Sequence, residues 1–409
     1  MSDRNFLERL LDGAEVEWKT LGEIGQVRMC KRILKSQTSS DGDIPFYKIG
    51  TFGKKPDAYI SRSLFEEYKS KYSYPKIGDI LISASGTIGR AVIFDGEDSY
   101  FQDSNIVWIE NDESVVLNKF LFYFYQIANW DTSVGGTIQR LYNDNLRRLS
   151  IPIPCPDNPD RSLAIQAEIV RILDTFTELT AELTAELTAR KKQYHYYRDR
   201  LLTFEDGEVE WKPLKEVTTL ITKGTTPKVF TDSGINFVKI ESFDNGRIDP
   251  TKFMFVSNEA HSKELKRSIL ESNDILFAIA GATIGKCAVV EQIILPANTN
   301  QALAIIRLGE GINVKFVFYC LQTTAMKEYI AKYNKASAQP NLNLQQISDF
   351  RIPFPPLTEQ TRIVSILDKF DALTNSISAG LPREIELRQQ QYEYYRDLLL
   401  SFPPPLTPP

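Results

Sequence analysis

Asp79-Ile-Leu-Ile-Ser-Ala-Ser-Gly-Thr-Ile-Gly-Arg90 returns later in the chain as Asp274-Ile-Leu-Phe-Ala-Ile-Ala-Gly-Ala-Thr-Ile-Gly-Lys286. A repeat on this scale decides the architecture and has to be settled before any local element is assigned. Working outward, Val16-Glu-Trp-Lys-Thr-Leu21 matches Val209-Glu-Trp-Lys-Pro-Leu214, and Ile44-Pro-Phe-Tyr-Lys-Ile49 matches Ile235-Asn-Phe-Val-Lys-Ile240. Beyond the quoted stretch, Lys119-Phe-Leu-Phe-Tyr123 matches Lys315-Phe-Val-Phe-Tyr319, and Ile151-Pro-Ile-Pro154 matches Ile352-Pro-Phe-Pro355. The order is the same in both copies, so the chain is an internal duplication.

The duplication continues into segments of another kind. Glu168-Ile-Val-Arg-Ile-Leu-Asp174 answers Arg362-Ile-Val-Ser-Ile-Leu-Asp368, and Gln193-Tyr-His-Tyr-Tyr-Arg-Asp199 answers Gln391-Tyr-Glu-Tyr-Tyr-Arg-Asp397. Residues 163–203 contain no Gly or Pro, and apolar residues recur at Ile165, Ile169, Ile172, Leu173, Phe176, Leu179, Leu183 and Leu187. Steps of three and four mark one face of a helix roughly 60 Å long. In the second copy Ile363, Ile366, Leu367, Phe370, Leu373 and Ile377 form the equivalent stripe, and Gly380-Leu-Pro382 predicts a stop followed by a new start. Short β-branched and aromatic runs broken by Gly, Pro, Asn and Asp fill the other two regions, as in Asp79–Ser83, Ala91–Phe94 and Asn105–Ile109. Helices are expected near Val116–Ala128 and Val314–Tyr333.

The expected fold is therefore mixed α/β (α+β) and multidomain. Residues 16–160 and 205–356 are two α/β domains, 161–204 and 357–402 are helical regions, 1–15 is a stub, and 403–409 is a Pro-rich extended tail. The stub is informative, because Leu7-Glu-Arg-Leu-Leu11 before Val16 echoes Arg198-Asp-Arg-Leu-Leu202 before Val209. The chain starts with the end of a repeat, which predicts a circular, pseudo-two-fold arrangement with the stub close to the C-terminal helix, against a reading of the stub as a worn leftover of the duplication. Antiparallel pairing of the two helical regions would hold the α/β domains inverted, with Leu179, Leu183 and Leu187 facing Phe370 and Leu373.

At 409 residues, 42% hydrophobic and 25% charged, the composition is that of a folded chain with more than one core. No apolar run reaches membrane length and the first residues lack an apolar leader core, so the expected location is the cytoplasm. Cys30, Cys155, Cys287 and Cys320 form no CxxC pair, and with His195 and His261 the only histidines no structural zinc site is expected. A net charge of −5 speaks against indiscriminate binding to nucleic acid, although local basic clusters, such as Arg28, Lys31, Arg32 and Lys35, matter more than the total.

Catalytic signatures are missing. Gly281-Ala-Thr-Ile-Gly-Lys286 is one residue too short between its glycines for a phosphate-binding P-loop and is followed by Cys287, while Gly86–Arg90 lacks the lysine. A glycine turn between strands explains both copies. No strand-linked GxGxxG and no Asn- or Asp-Pro-Pro-aromatic segment for methylating adenine is present, and two histidines leave little room for His-based catalysis. No activity is expected of this chain alone.

Inside the first helix Thr180-Ala-Glu-Leu183 is followed at once by Thr184-Ala-Glu-Leu187. One such tetrapeptide adds about 6 Å of rise and about 40° beyond a full turn. The tandem reads either as a ruler adjustable in steps or as an amphipathic low-complexity stretch with no metric role.

The duplicated plan, the TAEL tandem, the Ile-Pro-x-Pro segments and the Gln-Tyr-x-Tyr-Tyr-Arg-Asp helix ends together resemble the specificity subunits of type I restriction–modification systems, with the TAEL repeats similar to the type IC branch. The resemblance covers nearly the whole chain. It implies two target-recognition domains, each reading one half of a split site in double-stranded DNA, and helices that set spacing and dock two methyltransferase subunits. Restriction/translocase subunits would join these. No cofactor is expected on this chain, with S-adenosylmethionine, ATP and Mg carried by the partners. For DNA contact the candidates are Lys31, Arg32, Lys54, Arg90 and Arg140 in the first domain, and Lys223, Lys228, Lys286, Lys335, Gln339 and Asn341 in the second. Gln139 and Gln339 hold matching positions before the Ile-Pro segments. Tyr196, Tyr197, Tyr394 and Tyr395 are candidates for partner docking, against a reading as helix packing. Two other classes stay open: a two-module coiled-coil scaffold binding protein or glycan, and a DNA-modifying enzyme in its own right.

Overall fold

The computed structural model describes residues 4–130, 140–205, 207–244, 246–333, 341–376 and 378–404. They form two compact units, Met1–Glu182 with Glu386–Pro409, and Leu183–Ile385. Each unit takes one α/β module together with parts of both helical segments, so the helical ranges are shared between the units.

The first module is built on a four-stranded antiparallel sheet in the order Gln26–Arg28, Ile106–Glu110, Ile80–Ser83, Ala91–Ile93. A second sheet of three strands places Ile44–Tyr47 between Tyr59–Ile60, antiparallel, and Tyr100–Phe101, parallel. The Ile-Pro segment becomes strand Ser150–Pro154, paired with Val16–Thr20. The second module repeats all three sheets. Its four strands are Thr218–Lys223, Leu303–Leu308, Ile275–Ala278 and Cys287–Val289, and its three are Met254–Val256, Ile235–Val238 and Ala297–Thr299. Glu210–Pro213 pairs with Arg351–Phe354. A further hairpin, Phe243–Asp244 with Arg247–Ile248, belongs to the second module.

The quoted stretch lies at the centre of each module. Ile80–Ser83 and Ile275–Ala278 are buried along their whole length, as continuous apolar runs require of central strands covered on both faces. Gly86 and Gly89, and Gly281 and Gly285, turn the chain with positive φ. The turn amides are used locally: Ile284, Gly285 and Lys286 donate to the carbonyls of Gly281, Ala278 and Thr283. These three amides close the turn on itself, in keeping with the glycine-turn reading.

The helix expected near Val116–Ala128 is shorter, Asn118–Tyr125. The one expected over Val314–Tyr333 is two, Val314–Cys320 and Thr324–Tyr333. The break falls at Thr323, whose hydroxyl donates to the Cys320 carbonyl at 2.8 Å and accepts from the Met326 amide at 3.4 Å. That local pairing diverts the ladder, as hydroxyl side chains do at helix ends.

The long spacer helix runs over Pro159–Leu201, and the second helical segment is divided into Leu357–Asn375 and Leu381–Leu399, with Gly380 at φ +94 between them. The chain passes from the first unit into the second at Glu182 and Leu183, inside the TAEL tandem, and returns within Leu381–Leu399. The two helical segments thus traverse the units in opposite order.

One set of contacts mounts each module on the helix that follows it. Lys119 Nζ and Tyr123 OH donate to the two carboxylate oxygens of Asp174 at 2.6 and 2.7 Å, and Lys315 Nζ and Tyr319 OH do the same to Asp368 at 2.7 and 2.6 Å. Beneath them Gln166 accepts from the Leu117 amide at 2.9 Å and donates to the Val115 carbonyl at 3.0 Å, while its twin Gln360 accepts from Asn313 at 3.0 Å and donates to Pro355 at 2.9 Å. Both glutamines are fully buried. A buried amide with all its bonds made tolerates no sliding, so these contacts fix register as well as attachment.

The expected nearness of the stub to the C-terminal end is present inside the first unit. Leu7 and Leu11 of the stub helix Arg4–Leu11 share one apolar core with Ile165, Ile169 and Leu173 and with Leu399, Leu400 and Phe402 from the C-terminal end. Arg161 donates to the Leu11 carbonyl at 3.0 Å, and Trp18 Nε1 donates to the carbonyl of Pro403, so the tail begins as an anchored segment. No described helix is long and apolar enough to cross a membrane.

Phe402→Ala is expected to lower the unfolding free energy by about 3–5 kcal/mol, because it empties a buried ring site where the Phe120 and Phe402 ring centroids lie 6.1 Å apart. Leu373→Ala, at a side chain 37% exposed, is expected to cost less than about 1 kcal/mol. Urea titration of the two variants checks the contrast, and equal losses would remove the closed core from the account.

Candidate nucleic-acid interface

Nucleic-acid readers present cations where backbone phosphates pass, with polar or apolar side chains between them to meet base edges. In each module one loop fits this description. It leaves the edge strand of the four-stranded sheet (Gln26–Arg28 or Thr218–Lys223) and enters the central strand of the three-stranded sheet (Ile44–Tyr47 or Ile235–Val238).

In the first module this loop carries Lys31 and Arg32, both exposed. Lys31 Nζ lies 5.1 Å from the centroid of the Tyr72 ring, and Arg32 Nε donates to Asp103 at 2.9 Å. The loop continues through Leu34, 57% exposed, into a 3-10 turn at Lys35–Gln37. In the second module Lys223 ends the edge strand and Lys228 lies in the corresponding loop, both exposed, with Val229 next at 69% exposure. The loop is tied down by the Lys228 amide, which donates to Glu264 at 3.1 Å, and by Gly224, where a Cβ would come within 2.1 Å of the Asn300 carbonyl oxygen. Each loop therefore shows an exposed apolar side chain close to exposed cations, Leu34 between Arg32 and Lys35 and Val229 directly after Lys228.

The short helical stretch beside each loop extends the positive surface. In the second module this is Lys266–Ser268, where Arg267 donates to Thr225 at 3.4 Å. Lys266 and Arg267 went unremarked in the sequence, because nothing there shows that residues 266 and 267 fold back beside residue 225. The same holds for Tyr72 beside Lys31.

The other candidates lie elsewhere. Lys54 lines a cleft of about 640 Å³ that also holds Asp43, Asp95, Glu97 and Asp98, with Arg62 as the other cation. Four carboxylates against two cations make that cleft a poor seat for a phosphate. Arg90 is half-buried and donates to the Phe52 carbonyl at 3.1 Å, tying the glycine hairpin to the neighbouring loop. Arg140 is exposed and forms a bridge with Ser85 at the hairpin's base, and Asn341 forms the twin bridge with Ala280. Lys286 lines a cavity beside the spacer helix. Gln139, Lys335 and Gln339 lie outside the described residues.

The helix candidates divide in two. Tyr197 stacks on Phe370 with centroids 5.7 Å apart, and in the other unit Tyr395 stacks on Phe176 at 5.3 Å. These are twin contacts in which a tyrosine from the end of one helical segment meets a phenylalanine from the start of the other. Tyr196 and Tyr394 are 58% and 48% exposed and offer their rings outward. Leu179, Leu183 and Leu187 are half-buried, so the apolar stripe is only partly covered through the tandem. At the helix end, burial works to raise the Asp199 carboxyl, but hydrogen bonds from Thr324 and Arg198 outweigh it and hold the group below its ordinary value.

Comparison with known proteins follows the same division into halves. A family model described as the type I restriction modification DNA specificity domain matches twice, over residues 14–190 and 207–387. Over 421 aligned positions the chain is 38% identical to the type I restriction enzyme EcoR124I/EcoR124II specificity subunit of Escherichia coli, covering 100% of this chain and 99% of that one. Over 188 residues it is 66% identical to a Haemophilus influenzae protein named among type I specificity subunits, a match spanning 45% of this chain and 47% of that one. A solved structure from work on complex assembly and conformational transition of the type I R-M system superposes with a TM-score of 0.62 at 15% identity, covering 94% and 98% of the two chains.

Lys31→Ala and Lys228→Ala are each expected to weaken binding to a duplex of arbitrary sequence and to reduce the slope of log K against log salt by about 1, the signature of one lost phosphate contact. Lys54→Ala is expected to leave the slope unchanged. Fluorescence anisotropy over a KCl series reads all three, and a slope change confined to Lys54→Ala would place the phosphates at the acidic cleft instead.

Proposed function

The chain belongs to the family of type I restriction–modification DNA-specificity subunits, and from that premise we propose a division of labour among its parts. It is the DNA-recognition subunit of its complex and catalyses nothing by itself. Each α/β module reads one half of a bipartite site through the loop after its first sheet strand, with Lys31 and Arg32 in one half and Lys223 and Lys228 in the other. The observation that carries this reading is the twinned loop: the same connection in each module presents exposed cations beside an exposed apolar residue. Leu34 and Val229 suit apolar contact in a groove, such as with a thymine methyl group.

The helices hold the modules and dock two methyltransferase subunits, for which exposed Tyr196 and Tyr394 are the proposed anchors. Those subunits bring S-adenosylmethionine and the methylating site, and restriction/translocase subunits bring ATP and Mg. The complex works in the cytoplasm, where its DNA is. Co-expression with the methyltransferase subunit tests the assignment. Sequence-specific methylation is expected only when both are present; methylation by this chain alone, or by no combination, would overturn it.

The tandem in the spacer helix is proposed to act as a ruler. Thr180 and Thr188 hydroxyls return to the carbonyls four residues earlier, at 2.8 and 2.9 Å, so the stretch meets its polar needs internally. A third TAEL would add about 6 Å. At about 3.4 Å per base pair that is one or two more base pairs in the unspecified gap. Methylome sequencing of cells carrying the insertion is expected to show unchanged half-sites and a longer gap, and an unchanged gap would sink the ruler.

A further inference from the structure

In each module a segment follows the edge strand of the three-stranded sheet (Tyr59–Ile60 or Met254–Val256) and comes to lie beside the loop proposed to read DNA. In the first module it is helix Arg62–Lys71, where Tyr68 OH accepts from Gln37 at 3.4 Å. In the second it is the run of short turns over 260–268. Both segments carry several cations, and they differ in what those cations meet.

In the first module carboxylates take them up. Arg62 and Lys69 lie 3.0 and 3.4 Å from the two oxygens of Asp98, and Lys71 lies 3.0 Å from Glu67. The edge strand and the loop add Arg28 on Glu110 at 2.8 Å and Arg32 on Asp103 at 2.9 Å. A cation that keeps a carboxylate beside it brings little net charge to a phosphate.

In the second module the corresponding cations stand open. Lys223, Lys228, Lys266 and Arg267 are exposed, and among the described residues no carboxylate pairs with any of their side chains. The acidic residues of the turns are engaged elsewhere: Glu259 meets Lys263 at 3.0 Å, and Glu264 accepts the Lys228 main-chain amide at 3.1 Å. The four cations belong to one surface. Turn Lys266–Ser268 packs against strand Thr218–Lys223, and Arg267 donates to Thr225 at 3.4 Å.

That turn is held from within. The fully buried Asn298 donates to the Leu265 carbonyl at 3.0 Å and to the Ser268 hydroxyl at 3.3 Å, and its own side-chain oxygen meets His261 Nδ1 at 2.6 Å. Leu265 and Ser268 are fully buried as well, so Lys266 and Arg267 are the two residues turned outward between two anchors. Side chains on a fixed base lose less freedom on binding than side chains on a loose one. The first module has Tyr100 at the register position of Asn298, since Phe46 faces Tyr100 as Phe237 faces Asn298.

We propose that turn Lys266–Ser268 is a phosphate-contacting element of the second module with no counterpart in the first. Lys266 and Arg267 each take a backbone phosphate flanking the half-site met by the loop that carries Lys228. The inference rests on the reading that this loop faces DNA, and it adds the sugar–phosphate strand alongside as a ligand of the same surface.

Fluorescence anisotropy of the full chain, co-expressed with the methyltransferase subunit, on a duplex of arbitrary sequence over a KCl series tests this. The double variant Lys266→Ala with Arg267→Ala is expected to reduce the slope of log K against log salt by about 2. The charge-keeping pair Lys266→Arg with Arg267→Lys is expected to hold the parent slope, and so is Lys69→Ala with Lys71→Ala in the first module. A parent slope in the alanine pair while Lys228→Ala lowers it would overturn this proposal alone; a parent slope in both would overturn the reading beneath it as well. An equal loss from the Lys69 and Lys71 pair would remove the difference between the modules. Methylome sequencing of cells carrying the alanine pair is expected to show an unchanged bipartite sequence, because phosphate contacts serve all sequences alike. A relaxed or altered half-site would replace phosphate contact by base reading and overturn the assignment.

Discussion

The carboxylates of Asp174 and Asp368, each taking a lysine and a tyrosine from the module before it, are the constraint on which the rest depends. Apolar packing alone would hold a module to a helix yet tolerate a slip of one turn. A carboxylate satisfied by two fixed donors and a buried glutamine bonded at both ends do not. Because the clamp occurs twice in the same form, each module meets its helix in the same way, and the internal symmetry of the sequence becomes symmetry of attachment. The loops proposed to read DNA leave sheets of the modules so clamped, so their positions are inherited from the clamps.

Much of this was legible in the sequence. The duplication, the presence of strands in and around the quoted stretch, the unbroken helix over the TAEL tandem and the interruption at Gly380 follow from pattern and from glycine and proline chemistry. The stub's echo of Arg198–Leu202 pointed to closure, and Leu7 and Leu11 do meet Leu399 and Phe402. What stayed hidden required knowledge of distant neighbours. Nothing near Arg90 says that its guanidinium will reach the Phe52 carbonyl, and nothing near Lys54 says that four carboxylates will share its cleft. Nor could the Gln-Tyr-x-Tyr-Tyr-Arg-Asp motif reveal that its adjacent tyrosines divide the work, the second stacking inside the unit and the first facing outward.

The two halves are twins that have diverged in particular places. Sheet order, clamp and tyrosine–phenylalanine stacks are kept, whereas the segment beside the reading loop differs, a regular helix Arg62–Lys71 in one and short irregular turns over 260–268 in the other. Retained features serve attachment, which both halves need in the same form. Divergent ones lie beside the loops proposed to meet DNA, where no attachment holds the two modules to one shape.

Closure of the first unit by the C-terminal residues also bears on the order in which the molecule comes into being. Leu399, Leu400 and Phe402 belong to the same core as Leu7 and Leu11, whereas the second unit is complete at Ile385. On the ribosome the first module lacks part of its core until residues 399–402 are made, and the second module has its whole chain in hand sooner. Domains usually mature from the N-terminus onward. Of the two units here, the one whose synthesis begins first is the one whose set of residues is completed second.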